Sequence, residues 1–282
     1  MNHSSSILLT GGTGFIGKNI LPILSGHYDV LAPGRQELDL SDDDNVRSYL
    51  GQHQIDILVH CAILNPDKSA DANKGVYDDT MAMFKRLASH SFSRIVFIGS
   101  GAEFNKSRNI SMAREDDLAA ANPTDEYGRA KRDLTLLARA SRNFYNARVF
   151  GCYGPNEPDR RFIRHAITCC LRNEPITIRQ NCRFSYISVK DLGRAILRMI
   201  ESQPQHHDYN LCGGKPFLLS ELAEIVKRQL NADVPIQIFA PGLANEYTGD
   251  DTRFISEFPD YKYTSIEDGI AEEISWLKGL AK

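Results

Sequence analysis

The sequence predicts a doubly wound α/β fold: a parallel sheet covered by helices on both faces, with a smaller α/β lobe after it. Two observations carry this. Short runs that are apolar throughout alternate with helical stretches over the first half of the chain, as buried parallel strands do. The first run feeds a glycine-rich turn that opens a helix. Ile7–Leu9 is the first strand, followed by the turn and a helix from about Gly14 to Ser25. Asp29–Ala32 is the second strand, Leu38–Leu40 a short third element, and 42–53 a helix capped by Ser41. Ile55–Cys61 and Arg94–Ile98 are further strands, separated by a helix over 79–90.

After about residue 155 seven prolines between Pro155 and Pro241 shorten the pattern. Phe162–Arg172, Leu219–Leu230 and Ile266–Leu280 read as helices there. The predicted division is a dinucleotide-binding domain over 1–155 plus about 182–212, and a substrate lobe over 156–181 and 213–282. The 282 residues suffice for both cores. A net charge of -3 offers no basic field for nucleic acid or an anionic membrane. No apolar stretch matches a membrane span, and residues 1–6 lack the features of a signal peptide. Six scattered cysteines, none in a Cys-x-x-Cys pair, read as reduced thiols of a cytoplasmic protein. No metal-ligand spacing is present.

Gly11, Gly14 and Gly17 follow the first strand at G-x-x-G-x-x-G spacing. Gly11 permits a tight turn, Gly14 a close approach of pyrophosphate to backbone, and Gly17 close helix–sheet packing. Phe15 and Ile16 begin the helix whose N-terminus attracts phosphate. The second strand runs into Pro33-Gly34-Arg35 without the acid that bonds a ribose 2′-hydroxyl in NAD sites. Arg35 is either the partner of an NADP 2′-phosphate or a solvated surface arginine. Asp39, followed by Leu40, reaches the adenine or caps the next helix. His60, Cys61 and Ala62 end a strand and line the cofactor crevice.

Tyr127 and Lys131 stand four apart at the start of an apolar helical run, hence on one helix face. The ammonium is expected to lower the phenol's pKa from ~10 towards working pH, making an acid for carbonyl reduction or a base for alcohol oxidation. Upstream, a strand ends in Gly99-Ser100-Gly101, which sets a hydroxyl at the carboxyl edge where open α/β sheets bind ligands.

Thr10–Gly17, Ser100, Tyr127 and Lys131 resemble the signature set of the extended short-chain dehydrogenases/reductases, whose first domain is Rossmann-like. Arg148–Pro155 resembles the family's R-x-x-x-x-Y-G-P segment. Arg183–Leu192 resembles R-x-Y-I-x-V-x-D-L, and Tyr209–Gly214 resembles Y-N-x-G-x-G. The likeness spans nearly the whole chain and points to the nucleotide-sugar reductase and epimerase branch, close to GDP-fucose synthases and to 4-keto reductases of the CDP-abequose and CDP-paratose type. It implies that Tyr127 donates the proton, Lys131 also bonds the nicotinamide ribose, and Ser100 polarises the substrate carbonyl beside Gly101. Arg183 would hold the sugar-nucleotide pyrophosphate, Arg253 would contact the nucleotide, and the chain would form a homodimer through the Tyr127 helix.

Departures narrow the reaction. The family's dehydratases and decarboxylases follow the catalytic hydroxyl with acidic residues. Here Gly101 and Ala102 follow Ser100, and Glu103 arrives too late. GDP-fucose synthases carry an epimerising cysteine where this chain has Ala102. His165 reads as a packed or surface histidine, and Asp78 or Asp79 takes the place of a frequent asparagine. The resulting expectation is NADPH-dependent reduction of a nucleotide-activated 4-keto-6-deoxysugar. The alternatives are an NAD-dependent 4-epimerase and a non-catalytic dinucleotide sensor. Sugar selectivity is expected to depend on the loop 64–75.

Overall fold

The computed structural model describes residues 5–63 and 75–280; the predicted selectivity loop falls almost wholly outside them. The chain opens β1 (Ser6–Thr10), α1 (Phe15–Ser25), β2 (Asp29–Leu31), α2 (Asp43–Gln52), β3 (Ile57–His60), α3 (Val76–Ala88) and β4 (Arg94–Ser100). A 3₁₀ turn over Gly101–Phe104 leads to β5 (Ile110–Ala113), then α4 (Glu126–Arg139), β6 (Phe144–Val149) and β7 (Gly151–Tyr153). Next come α5 (Phe162–Arg172), β8 (Ile176–Asn181), β9 (Arg183–Phe184), β10 (Tyr186–Ser188), α6 (Val189–Glu201) and β11 (Asp208–Leu211). The remainder is β12 (Phe217–Leu218), α7 (Leu219–Leu230), β13 (Ile236–Leu243), β14 (Tyr247–Gly249), α8 (Thr252–Glu257) and α9 (Ile266–Leu280).

Six parallel strands form the central sheet in the order β11-β6-β4-β3-β1-β2. Alternate residues of each strand face opposite layers. Ile7, Leu9, Val59, Val96, Ile98 and Ala147 pack against Ile20, Leu24, Leu192, Ile196 and Met199 of α1 and α6. Leu8, Leu58, Ile95, Phe97 and Phe144 pack against Val46, Leu50, Phe84, Leu87 and Leu134 of α2, α3 and α4. Both faces are therefore apolar, which is why the strands show no polar alternation. The chain leaves β1 outward to β2 and returns on the far side as β3. That reversal opens a crevice at the carboxyl ends of β1 and β3.

A separate core joins Ile163, Ile167, Ile176, Leu222, Val226, Ile270 and Ile274 in the smaller lobe. A four-stranded sheet, β12-β9-β14-β5, lies between the lobes. Phe254 and Phe258, assigned from sequence to the substrate lobe, instead pack on Tyr209 in the sheet core, with ring centroids 5.8 and 6.2 Å away.

Two local readings change. Leu38–Leu40 forms no strand: it follows a turn over 35–37 whose Gly34 carbonyl accepts the Glu37 and Leu38 N–H groups, and the Asp39 N–H goes to the Asn45 side chain. The cap of α2 is Asp42, whose carboxylate accepts from the Asp44 and Asn45 N–H groups; Ser41 instead donates to Asp39. Asp39 is thus no helix cap. All six cysteines are free, and no described helix is long and apolar enough to cross a membrane.

Candidate active site

The glycine turn is built by close contact. Gly11 adopts φ +72°, and a Cβ there would lie 2.7 Å from the Ala62 nitrogen. A Cβ on Gly17 would lie 2.1 Å from the Gly11 carbonyl oxygen, so α1 can sit on the turn only with glycine there. Gly14 is the N-cap of α1 and offers no side-chain cap, and no acid occupies the first turn. The helix therefore presents uncapped N–H groups and its positive end to an anion. In front lies a cavity of about 430 Å³ lined by Thr10, Gly11, Thr13, Pro33, Arg35, Leu38, Asp39, Leu40, Ala62, Ile63, Asp79 and Met83.

This cradle suits a dinucleotide: a pyrophosphate by uncapped N–H groups and a cationic far end. Of the residues marked from sequence, Gly11, Arg35, Asp39, Leu40 and Ala62 line the cavity. Gly14, Phe15, Ile16 and Gly17 shape the turn and helix behind it, and Cys61 lies deeper, towards Lys131. Thr13, Pro33 and Met83 were not singled out, although Met83 stands one helical turn from Asp79. His60 is buried, with Nδ1 2.7 Å from the Thr10 hydroxyl. Burial, aided by the Lys131 charge, lowers its pKa to about 3, so the ring is neutral and structural.

Ser100 ends β4 at the same sheet edge. The Tyr127 phenol, in the first turn of α4, lies near enough to the Ser100 hydroxyl for that group to draw its pKa down. One turn on, Lys131 is buried, with Nζ donating to the Ile98 carbonyl at 2.7 Å and lying 5.8 Å from the Tyr127 ring centre. The expected depression of the phenol's pKa is absent. Burial raises it, Glu103 and Asp125 add to the rise, and the Ser100 hydroxyl and Arg161 only partly offset it. Lys131 carries the opposite shift: burial lowers its pKa to about 8 against the pull of Glu103.

Glu103 does more than its distance from Ser100 in sequence suggested. Its fully buried carboxylate accepts from the Ser100 N–H (2.9 Å), the Thr135 hydroxyl (2.8 Å) and Arg148 Nε (2.8 Å). Arg148, also fully buried, continues to Asp208 at 2.9 Å, which pairs with Arg139 at 2.8 Å. The arginine of the R-x-x-x-x-Y-G-P segment therefore anchors the strand end that presents the serine. Glu103 is fully engaged and is no acid for an elimination.

A second cavity, of about 420 Å³, is lined by Lys106, Phe150, Gly151, Glu157, Arg161, Phe162, Phe184, Tyr186 and Tyr247. The Tyr247 hydroxyl stands 3.4 Å from Ser100 Oγ. Lys106 Nζ lies 5.9 Å from the Tyr127 ring centre, and the Arg161 guanidinium covers Phe15 at 5.6 Å. Sequence reasoning overlooked Lys106, Arg161 and Tyr247, since only folding brings these three distant segments to Ser100.

Two expected substrate contacts are placed elsewhere. In the resembled segment the arginine stands two residues before the tyrosine, but Arg183 stands three before Tyr186. Strand alternation turns Phe184 into the aromatic cavity and Arg183 into a separate groove with Lys215 and Arg228. Arg253 is held by Asp116 (2.6 Å), Asp208 (3.3 Å) and Glu115 (3.6 Å), which consumes its guanidinium in the ion-pair network. No described group of acidic, histidine or cysteine side chains forms a metal site.

Residues 7–212 match the model of the NAD dependent epimerase/dehydratase family. The chain belongs to that family. It is accordingly an NAD(P)-dependent oxidoreductase or epimerase. It is similar to a UDP-glucose 4-epimerase of Halalkalibacterium halodurans, 23% identical over 327 residues, covering 97% of this chain and 96% of the relative. Among solved structures, a GDP-L-fucose synthetase from Naegleria fowleri bound to NADP superposes with TM-score 0.85 at 17% identity, covering 100% of this chain and 95% of that one. A GDP-mannoheptose C4 reductase from Campylobacter jejuni with NADP bound gives TM-score 0.82 at 16% identity, covering 99% of each.

Proposed function

We propose that the protein reduces the 4-keto group of a nucleotide-activated 4-keto-6-deoxysugar with NADPH. The observation that carries this reading is the approach of the Ser100 hydroxyl and the Tyr127 phenol at the carboxyl edge of the sheet, where Tyr247 and Lys106 join them to the aromatic cavity. The nicotinamide end of a dinucleotide seated on the glycine turn would supply the hydride. The protein's own groups do the rest. Tyr127 donates its proton to the carbonyl oxygen, and Ser100 bonds the same oxygen as negative charge develops. A phenol whose pKa burial raises holds its proton at neutral pH, the form a reduction requires. Lys131, fixed on the Ile98 carbonyl, sets a positive charge beneath the site. Phe150, Phe184, Tyr186 and Tyr247 supply apolar faces for a deoxysugar ring, and Arg161 and Lys106 supply cations for a diphosphate.

Arg35 on the cavity wall, with no acid at the end of β2, supports NADPH over NADH. Full engagement of Glu103 and the apolar Ala102 argue against elimination. Fold and family are shared with 4-epimerases, so the second reading is an epimerase that oxidises and re-reduces one carbon. Leu136 and Leu137 stand exposed on α4, which supports a homodimer through this helix. The proposed setting is cytoplasmic, in accord with the free thiols.

The test is to mix the protein with NADPH and an enzymatically generated nucleotide-linked 4-keto-6-deoxysugar and to follow NADPH absorbance. One NADPH should be consumed per sugar. Tyr127→Phe should lose ~10²–10⁴-fold in kcat, the usual worth of a general acid, while binding NADP normally. Interconversion of sugars without added cofactor would establish the epimerase instead, and nucleotide binding without turnover would leave only a sensor.

A further inference from the structure

We propose that Tyr247 is a positioning residue of the catalytic site: its phenolic O–H donates to Ser100 Oγ and thereby turns the serine's own proton towards Tyr127 and the reacting oxygen. The serine oxygen has two acceptor sites and one proton. One acceptor site takes the Ala102 N–H at 3.2 Å. Tyr247 Oη, 3.4 Å away, has no other hydrogen-bond partner among the described residues. Its O–H can therefore be satisfied within the protein only by filling the second site. Burial raises the Tyr247 pKa, which keeps the phenol a donor. With both acceptor sites filled from the protein, the serine O–H is left to point into the gap where Tyr127 and the substrate oxygen meet.

Tyr247 is held for this task. It belongs to β14, paired with β5 at Ile110 and with β9 at Phe184, so its position is set by the small intermediate sheet and not by the strand bearing the serine. Its ring packs edge-on to Phe150 at 5.3 Å and against Phe184 at 4.9 Å. Gly101 is what lets it approach. A Cβ there would lie 2.4 Å from Phe150 Cδ1 and 2.9 Å from Tyr247 Cζ. The glycine that follows the serine thus makes room for a second tyrosine.

The inference rests on the proposed hydride-transfer chemistry, but not on which sugar is reduced. Tyr247→Phe keeps the ring and removes only the hydroxyl. With the 4-keto sugar, kcat is expected to fall roughly tenfold with KM within about twofold, a tenfold loss being the worth of one hydrogen bond. In a Ser100→Ala background the same change should cost nothing further. An arm without substrate places 3,5-difluorotyrosine at position 127 and follows its ionisation by fluorine NMR. The Tyr127 phenol also faces Glu103, Asp125, Lys106, Lys131 and Arg161, all of which the variant retains. Losing Tyr247's hydroxyl should raise the probe's pKa, since the serine proton no longer favours the phenolate. An unchanged probe titration overturns the proposal. So does an undiminished loss in the Ser100→Ala background, or a raised KM at constant kcat, which would make Tyr247 a substrate contact. If wild-type enzyme leaves the sugar untouched, the proposed function fails, and the NMR arm still decides the role of Tyr247.

Discussion

At Arg35 a single side chain bears on the choice of cofactor. The guanidinium is 77% exposed and its nearest partner, Asp39, is 3.7 Å away, so little local structure depends on it. Such a loose surface pair contributes little to stability, which makes Arg35→Ala a clean probe of binding. If the guanidinium pairs a 2′-phosphate, its loss removes a charge-assisted contact worth ~1.5–3 kcal/mol, on the order of 10–100-fold in NADP affinity. NAD has no such phosphate, so its affinity should move by less than about threefold. Titration calorimetry with both nucleotides reads this directly, and equal losses would remove Arg35 from 2′-phosphate recognition. Lys131 shows a different kind of residue-scale constraint. Spacing alone put it on the face of Tyr127, but its tie to the Ile98 carbonyl and its lowered pKa follow from burial, which spacing does not report.

The decisive element is α1 resting on the glycine turn. Because a Cβ at position 17 would meet the Gly11 carbonyl oxygen and the Gly12 Cα at 2.1 and 2.7 Å, Gly17→Ala must push α1 off the turn. Overpacking of this kind typically costs ~1–3 kcal/mol, and it moves the helix N-terminus away from the phosphate site. Urea unfolding should show a lowered midpoint, and cofactor binding should weaken beyond what lost stability explains. A variant with wild-type midpoint and affinity would mean the turn relaxes freely. This element was legible in sequence because glycine spacing, a strand before it and a helix after it all state one geometry. So were α5, α7 and α9, whose long amphipathic runs were read with the bounds the structure gives. Leu38–Leu40 alternates apolar and acidic residues as a strand does, but its N–H groups are taken by the Gly34 carbonyl (Leu38) and the Asn45 side chain (Asp39) and not by a neighbouring strand. The aromatic cavity was not legible at all. Lys106, Arg161, Phe184 and Tyr247 lie on four segments whose meeting depends on the intermediate sheet, and one extra residue before Tyr186 reversed the face of Arg183.

At the scale of the molecule, the junction between the lobes contains charge that the fold must keep neutral. Glu157, in the loop leading to α5, and Glu273, on α9, are both buried, and neither carboxyl has a hydrogen-bond partner among the described residues. Burial, reinforced by Glu273, raises the Glu157 pKa to about 9 against the opposing pull of Arg161 and Arg164. Burial likewise raises Glu273 to about 8. A carboxyl whose folded pKa exceeds its unfolded value near 4.5 binds its proton more tightly when folded. The stability it contributes is complete below that unfolded value and declines as pH climbs towards the folded one. Two buried bases work in the opposite sense. His60, lowered to about 3, gains the fold stability as pH rises from there to 6.5, and Lys131, lowered to about 8, does so from there to 10.5. Between pH 6.5 and 8 the two carboxyls therefore act with least opposition, and the urea midpoint should fall across that interval. The loss is up to about 2 kcal/mol for each carboxyl, since one pKa unit corresponds to ~1.4 kcal/mol. Glu157→Gln and Glu273→Gln, each unable to ionise, should flatten the profile, and the double variant should be the more stable protein at pH 8. A wild-type midpoint that rises between pH 6.5 and 8 would mean these carboxyls are ionised and paired through water, and that the inter-lobe junction tolerates their charge.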